Sequence, residues 1–325
     1  MDNIKDKILE VKNLKTSFFT YEGEVKALEN VSFDISRGET LGLVGETGSG
    51  KSVTALSIVN LISSPPGKIL GGKIIFEGEN LLNYSEKEIR KIRGNKISMI
   101  FQDPMNSLNP VFKVGEQIIQ VIKVHQNKKS AEARKIAIEM FKKVGLPDPE
   151  LVLDKYSYEL SGGMQQRIMI AIALSCNPDL LIADEPTTAL DVTIQAQILD
   201  LIDKLKKDID SSILLITHNL GVVARVCDKV AVMYAGNIVE YATVEQIFNK
   251  PCHPYTKGLL KAIPRKESRG KKLKIIKGKV PNLISPPSGC RFHPRCNFAL
   301  PECSEINPPR KLVAEEHYVK CHLDF

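Results

Sequence analysis

Eight residues, Gly45-Glu46-Thr47-Gly48-Ser49-Gly50-Lys51-Ser52, constrain this chain more than any other stretch. They satisfy the pattern G-x-x-x-x-G-K-[ST] at every fixed position. Thr40-Leu41-Gly42-Leu43-Val44 precedes them and reads as a buried strand, and Val53-Thr54-Ala55-Leu56-Ser57-Ile58-Val59 follows and can continue as a helix. A glycine-rich turn between strand and helix lets successive backbone N–H groups and the helix N-terminus close around a polyphosphate. In that setting Lys51 reaches the β- and γ-phosphates and the Ser52 hydroxyl holds Mg²⁺.

The flanking texture predicts the rest of the architecture. Residues 8–12 and 31–35 alternate as strands, with an aromatic-rich turn, Phe18-Phe19-Thr20-Tyr21-Glu22-Gly23-Glu24, between them. Ser63-Ser64-Pro65-Pro66-Gly67 breaks the chain before strands at 73–78 and 96–101. Residues 114–124 and 131–144 carry apolar side chains at helical spacing, so 103–162 is expected to be a helical insertion. Strands then return at 179–186 and 212–217 around a helix at 195–207, followed by a hairpin over 229–240 with Ala235-Gly236-Asn237 at its turn. Strands alternating with helices make the core α/β. Two domains are expected, 1–250 and 251–325, from the composition shift near residue 250.

Composition excludes several classes. The chain starts with charged residues and no apolar h-region, and its longest apolar run, 168–174, is far short of the ~20 residues a spanning helix needs. A soluble, intracellular protein that reaches a membrane only through partners is expected. The net charge of +7 suggests nucleic acid at first, but 265–279 alone holds eight of the 45 Lys/Arg and one of the 38 acidic residues. A balanced body with one basic segment argues against a nucleic-acid face; the segment reads as a solvated linker, with phospholipid headgroups or an acidic partner as the alternative.

Two further stretches carry chemistry. Leu180-Leu181-Ile182-Ala183-Asp184-Glu185 is an apolar strand ending in two acids, suited to Mg²⁺ binding by Asp184 and to polarising the attacking water by Glu185. Leu160-Ser161-Gly162-Gly163-Met164-Gln165-Gln166-Arg167 opens an apolar helix with a capping serine and two glycines. A cap explains Ser161 but not two glycines, which are costly at a helix start. A second anion cradle is superfluous within one subunit, whereas two subunits facing head to tail would complete each other's sites.

Together these stretches resemble an ATP-binding cassette (ABC) ATPase over residues 8–250. GETGSGKS is similar to the Walker A motif, LSGGMQQR to the signature and LLIADEP to Walker B. The resemblance implies a P-loop core with an N-terminal antiparallel β subdomain and an α-helical subdomain. It assigns Gln102 to the Q-loop, sensing Mg²⁺ and the attacking water, and Ala189-Leu190-Asp191 to the D-loop. It makes His218 the switch histidine at the γ-phosphate, and Tyr21, with Phe19 as second choice, the adenine-stacking aromatic. Met164 departs from the usual glutamine.

The C-terminal part resembles the tail of the ATPases of bacterial dipeptide and oligopeptide importers, through His253-Pro254-Tyr255-Thr256-Lys257-Gly258-Leu259-Leu260, Gly289-Cys290-Arg291-Phe292-His293-Pro294-Arg295-Cys296 and Pro301-Glu302-Cys303. Nickel-importer ATPases are close relatives and remain an alternative. The implied assembly is peripheral on the cytoplasmic face of the cell membrane. Its members are two transmembrane permease subunits, a second ATPase subunit, identical or homologous, and indirectly an extracytoplasmic peptide-binding protein. Soluble ABC proteins of repair or translation fit less well: only 110 positions separate Lys51 from Ser161, and the chain holds a single cassette. Glu185 and His218 are both present, against a non-catalytic module.

Seven of the eighteen prolines fall in 281–309, so that segment should carry no regular helix or central strand and needs a staple. Cys290, Cys296, Cys303 and Cys321 are spaced C-x5-C-x6-C-x17-C. Without an export signal they read as metal ligands rather than disulfides, making a small Cys-rich metal-binding extension. The wide, uneven spacing suits a [4Fe–4S] cluster, with Zn²⁺ as the alternative.

Overall fold

The computed structural model describes residues 6–102, 107–187, 192–263 and 275–325. Asp191 and most of the basic segment, 265–274, lie outside the described residues. The chain forms two compact units, one built mainly of Asn83–Leu215 with Ser36–Gly38, the other of Leu9–Ile35, Glu39–Leu82 and Ile216–Phe325.

The second unit contains an antiparallel sheet of β1 (Lys7–Thr20), β2 (Gly23–Ser36), β4 (Gly67–Phe76) and β5 (Glu79–Asn80), in the order β2-β1-β4-β5. β1 runs on to Thr20, well past the expected 8–12, and takes Phe18 and Phe19 into the strand. Two features hid this from the alternation pattern. The β1–β4 register shifts between Lys12 and Thr16, beside Asn13 at φ 50°. Thr16 and Ser17 are buried, Thr16 sharing a 3.2 Å hydroxyl hydrogen bond with Ser57. Only Tyr21 and Glu22 remain to make the turn.

The same unit contains strands in the order β11-β12-β10-β9-β3: β3 (Thr40–Val44), β9 (Lys229–Tyr234), β10 (Asn237–Thr243), β11 (Arg310–Ala314) and β12 (His317–Lys320). β3 runs parallel to β9, both wholly buried, as expected of strands covered on both faces. The β9–β10 hairpin forms with Ala235 and Gly236 at positive φ. The proline-dense 281–309 holds only two short 3₁₀ turns, His293–Arg295 and Pro301–Ser304.

Aromatic packing anchors that segment. Phe292, 3% exposed, packs its ring 5.1 Å from Tyr234 and 5.3 Å from Tyr255. Those rings belong to a core that includes Val44, Val230 and Val232 of the buried strands. The β11–β12 hairpin, unforeseen from the sequence, joins the sheet through β12 against β10.

In the first unit, β6 (Ile97–Ile100) and β7 (Leu180–Asp184) pair in parallel. The expected helices form at Val114–Gln126 and Ser130–Lys143, and two more run over Gly162–Leu174 and Val192–Ile209. Ile118, Ile122, Ala137, Phe141 and Ile168 are fully buried there. β8 (Ser212–Thr217) crosses from this unit into the other. Among the described residues, no helix is long and apolar enough to cross a membrane.

Candidate active site

The phosphate loop is shaped as its sequence requires. The helix Lys51–Ile58 starts directly from it, with Gly50 as N-cap at φ 106°. A Cβ on Gly50 would come within 2.8 Å of Leu28 and Met233, and one on Gly45 within 2.1 Å of the Met233 carbonyl, so both positions demand glycine. Gly48, at φ 79°, faces open space. The loop is anchored from behind by the Gly236 N–H, which donates to the Ser49 carbonyl at 2.7 Å. Lys51 is buried, and its Nζ donates to the carbonyls of Gly45 (2.9 Å) and Glu46 (3.1 Å). The Ser49 hydroxyl is buried without a hydrogen-bond partner. An orphaned buried hydroxyl and a cradle closed to side chains fit a polyphosphate.

The two acids end β7 as expected. Asp184 is 4% exposed, and Glu185 holds φ 46°, a left-handed conformation that a non-glycine residue adopts at a cost. Gln102 Nε2 donates to Glu185 Oε2 at 3.2 Å, so two of the three residues expected to be catalytic touch. His218 lies exposed at the end of β8.

Ser161 caps Gly162–Leu174, its Oγ accepting from the Met164 N–H at 3.4 Å. A Cβ on Gly162 would meet nothing within 4 Å, and one on Gly163 only Ile194 at 3.7 Å. Packing within the subunit therefore does not ask for glycine at either position. Tyr21 is 98% exposed at the β1–β2 turn, which leaves its ring open to stacking, and Phe19 is 50% exposed.

The four tail cysteines are gathered with their sulfurs pointed at backbone donors. Cys296 Sγ accepts from the Phe298 N–H and Cys303 Sγ from the Leu300 N–H, each at 3.4 Å. Cys290 accepts from Phe292, and Cys321 from Leu323 and His322. Gly289, at φ 62°, allows the close approach: a Cβ there would lie 2.5 Å from the Cys303 carbonyl. Burial pushes the Cys290 thiol up to about 11 and raises Cys296 and Cys321 too, while neighbouring cysteine charges add to each shift. Among the described residues, only Glu240, Cys252 and His317 bring three ligand atoms within 4.8 Å of one another. The tail sulfurs are thus spread wider than tetrahedral zinc, with S–S separations of about 3.8 Å from Zn–S bonds of about 2.3 Å, would draw them.

The Glu240 group is an anchor. Its Oε1 accepts from the Cys252 N–H (2.7 Å) and His317 Nε2 (2.8 Å), and its Oε2 from the His253 N–H (2.9 Å). Burial opposes the Glu240 charge, but these donors outweigh it and hold its pKa below the ordinary carboxylate value. The network ties β12 and the start of the helix Pro254–Ala262 to β10.

Two residues without an expected role also reach the phosphate loop. The Glu46 N–H donates to the Tyr255 hydroxyl at 2.9 Å, and the Glu46 carboxylate is gripped by Arg295. The HPY and HPRC strings were visible as a resemblance, but nothing local in them marks a partner 249 positions away.

Comparison with known proteins agrees with this geometry. Residues 28–188 match the ABC transporter family and 239–303 the oligopeptide/dipeptide transporter C-terminal region. The chain is 54% identical over 318 residues to the oligopeptide transport ATP-binding protein OppD of Bacillus subtilis (strain 168), covering 98% of this chain and 89% of that one. It is 50% identical to the dipeptide transport ATP-binding protein DppD of the same organism, covering 98% and 95%. A dimeric ATP-binding cassette solved in a post-hydrolysis state with ADP and Pi superposes with a TM-score of 0.65 at 28% identity, over 73% of this chain and 98% of that one.

Proposed function

The chain belongs to the ABC transporter family of ATP-binding subunits, and from that premise we propose that it powers import of dipeptides or oligopeptides through a membrane permease. The observation that carries the reading is a C-terminal region of oligopeptide/dipeptide transporter type, whose Phe292 is buried in the same core as the strand feeding the phosphate loop. The chain is an ATPase, and peptide is the cargo its relatives' names give. Two such subunits, identical or homologous, would dock on two permease subunits at the cytoplasmic membrane face, supplied by an extracytoplasmic peptide-binding protein. The proposed division is a cassette over 1–250, with a helical subdomain near 103–162, and a tail over 251–325.

Chemically, the loop amides of 45–52 bind the phosphates, Lys51 neutralises the β- and γ-phosphates, and Tyr21 stacks on adenine. Mg²⁺ would be held by Ser52, Asp184 and Gln102 and would neutralise negative charge on the phosphates. Glu185 accepts a proton from the attacking water, held in place through Gln102, while His218 steadies the γ-phosphate. Ser161, Gly162, Gly163 and Asp191 of the facing subunit close the site, which accounts for two glycines that nothing inside the subunit requires. ATP binds the closed dimer more tightly than the open one, and that difference drives the permease between orientations.

Four cysteines with backbone-solvated sulfurs, spread wider than zinc would hold them, suit a [4Fe–4S] cluster in the tail. Iron and sulfide analysis of anaerobically purified protein should find about four of each per chain; one zinc and no iron refutes the cluster. For the main reading, Glu185→Gln should retain MgATP and accumulate as a dimer by gel filtration. Turnover at the wild-type rate would remove Glu185 from the reaction.

A further inference from the structure

Arg295 closes the 3₁₀ turn His293–Arg295 of the tail and is 7% exposed at its side chain. Its guanidinium forms a fork on Glu46: Nη1 donates to Oε2 at 2.8 Å and Nη2 to Oε1 at 3.2 Å. The remaining donors are spent on fixing the group, Nε on the Lys277 carbonyl (3.0 Å), Nη2 on the Ile276 carbonyl (3.3 Å) and Nη1 on the Tyr234 hydroxyl (3.3 Å). The guanidinium also lies 5.6 Å from the centre of the Tyr234 ring. A planar fork this fully engaged holds its carboxylate in one place.

Glu46 is the second residue of the phosphate loop, and Lys51 Nζ rests on its carbonyl oxygen. A free carboxylate here would repel a polyphosphate and compete with it for the Lys51 ammonium. We propose that Arg295 is a positioning residue for nucleotide binding, withdrawing and neutralising the Glu46 carboxylate so that the loop accepts MgATP. The C-terminal tail thereby sets the affinity of the cassette for its nucleotide. The inference rests on ATP binding at residues 45–52 as proposed above.

The scale follows from the charges. At an effective dielectric of about 20, one unit charge changes binding of another by more than tenfold at any separation short of about 10 Å. Glu46 is 27% exposed at its side chain, and solvent screening reduces this to about tenfold.

The test is equilibrium binding of MgATP to the purified full-length chain. Arg295→Gln should bind about tenfold more weakly and Glu46→Gln about threefold more tightly, while the double variant returns to within about threefold of wild type. Arg295→Lys, which keeps the charge but not the fork, should lose about threefold and be rescued by Glu46→Gln in the same way. It serves as the comparison should Arg295→Gln fail to fold. Wild-type affinity in the Arg295 variants, or a double variant as weak as the single, overturns the inference. A wild-type chain that binds no MgATP overturns the nucleotide reading itself.

Discussion

His253 makes the stability of this protein depend on pH in a way that can be worked from its surroundings. It caps the helix Pro254–Ala262, with Nδ1 accepting the Tyr255 N–H at 3.1 Å, and its ring lies 5.6 Å from that of Phe292. Nδ1 in that role carries no proton. Burial pulls the pKa from 6.5 down to about 4, against the opposing charge of Glu240. The folded pKa lies below the unfolded one, so the unfolded chain takes up the proton first as pH falls. The stabilisation is present in full above the unfolded value and is lost as pH drops through the folded value. Between pH 7.5 and 4 this amounts to about 3 kcal/mol, with a slope near pH 5 of close to one proton, or about 1 kcal/mol per pH unit. Urea unfolding of the full-length chain at half-unit pH steps, for wild type and His253→Asn, isolates the effect, since asparagine also caps helices but does not titrate. Groups common to both proteins cancel in the difference. The variant's stability curve should be flatter by close to one proton near pH 5. Parallel curves would refute a neutral, buried His253.

Gly162→Ala should separate folding from function. Its Cβ meets nothing within 4 Å, so the thermal midpoint should hold or rise, alanine being favoured by up to about 1 kcal/mol in a helix. Steady-state ATPase activity should nevertheless fall at least tenfold if, as proposed, the facing subunit's phosphate approaches that backbone; full activity would show that no close approach occurs there. Phe292→Ala removes a ring 3% exposed among three aromatic neighbours. Denaturant unfolding should show a loss of about 3–5 kcal/mol, and a loss under 1 kcal/mol would mean the tail is not part of that core.

Legibility in the sequence followed the length scale of the contacts. The phosphate loop, the cap Ser161 and the strand ending in Asp184 and Glu185 are local arrangements, in which neighbouring residues carry both shape and chemistry. Each formed where the pattern put it. Helices at 114–124 and 131–144 and the hairpin turn at Ala235-Gly236 were legible for the same reason, being fixed by period and turn chemistry. β1 was read too short because a bulge near Asn13 and two buried hydroxyl residues broke its alternation. The β11–β12 hairpin was not legible because its strands are short and β11 alternates only between exposed and half-buried positions.

The tail marks where pattern reading stops. Its prolines correctly excluded helix and central strand over 281–309, yet composition alone made cysteines look like the source of order. The order also comes from Phe292 within a core of Tyr234 and Tyr255, and from Glu240 gathering the backbone of 252–253 and the His317 ring. No periodicity encodes such contacts, because each partner lies on an element whose position depends on the finished fold. The same holds for Arg295 on Glu46. A cassette needs only its own motifs to be recognised, but here its phosphate loop is held at one residue from two directions by the tail, Tyr255 on the amide and Arg295 on the carboxylate. Truncation near residue 250 would therefore remove both supports of Glu46 and the aromatic core behind the loop. A weak response to nucleotide in such a fragment would report a disturbed loop rather than a missing ATPase motif.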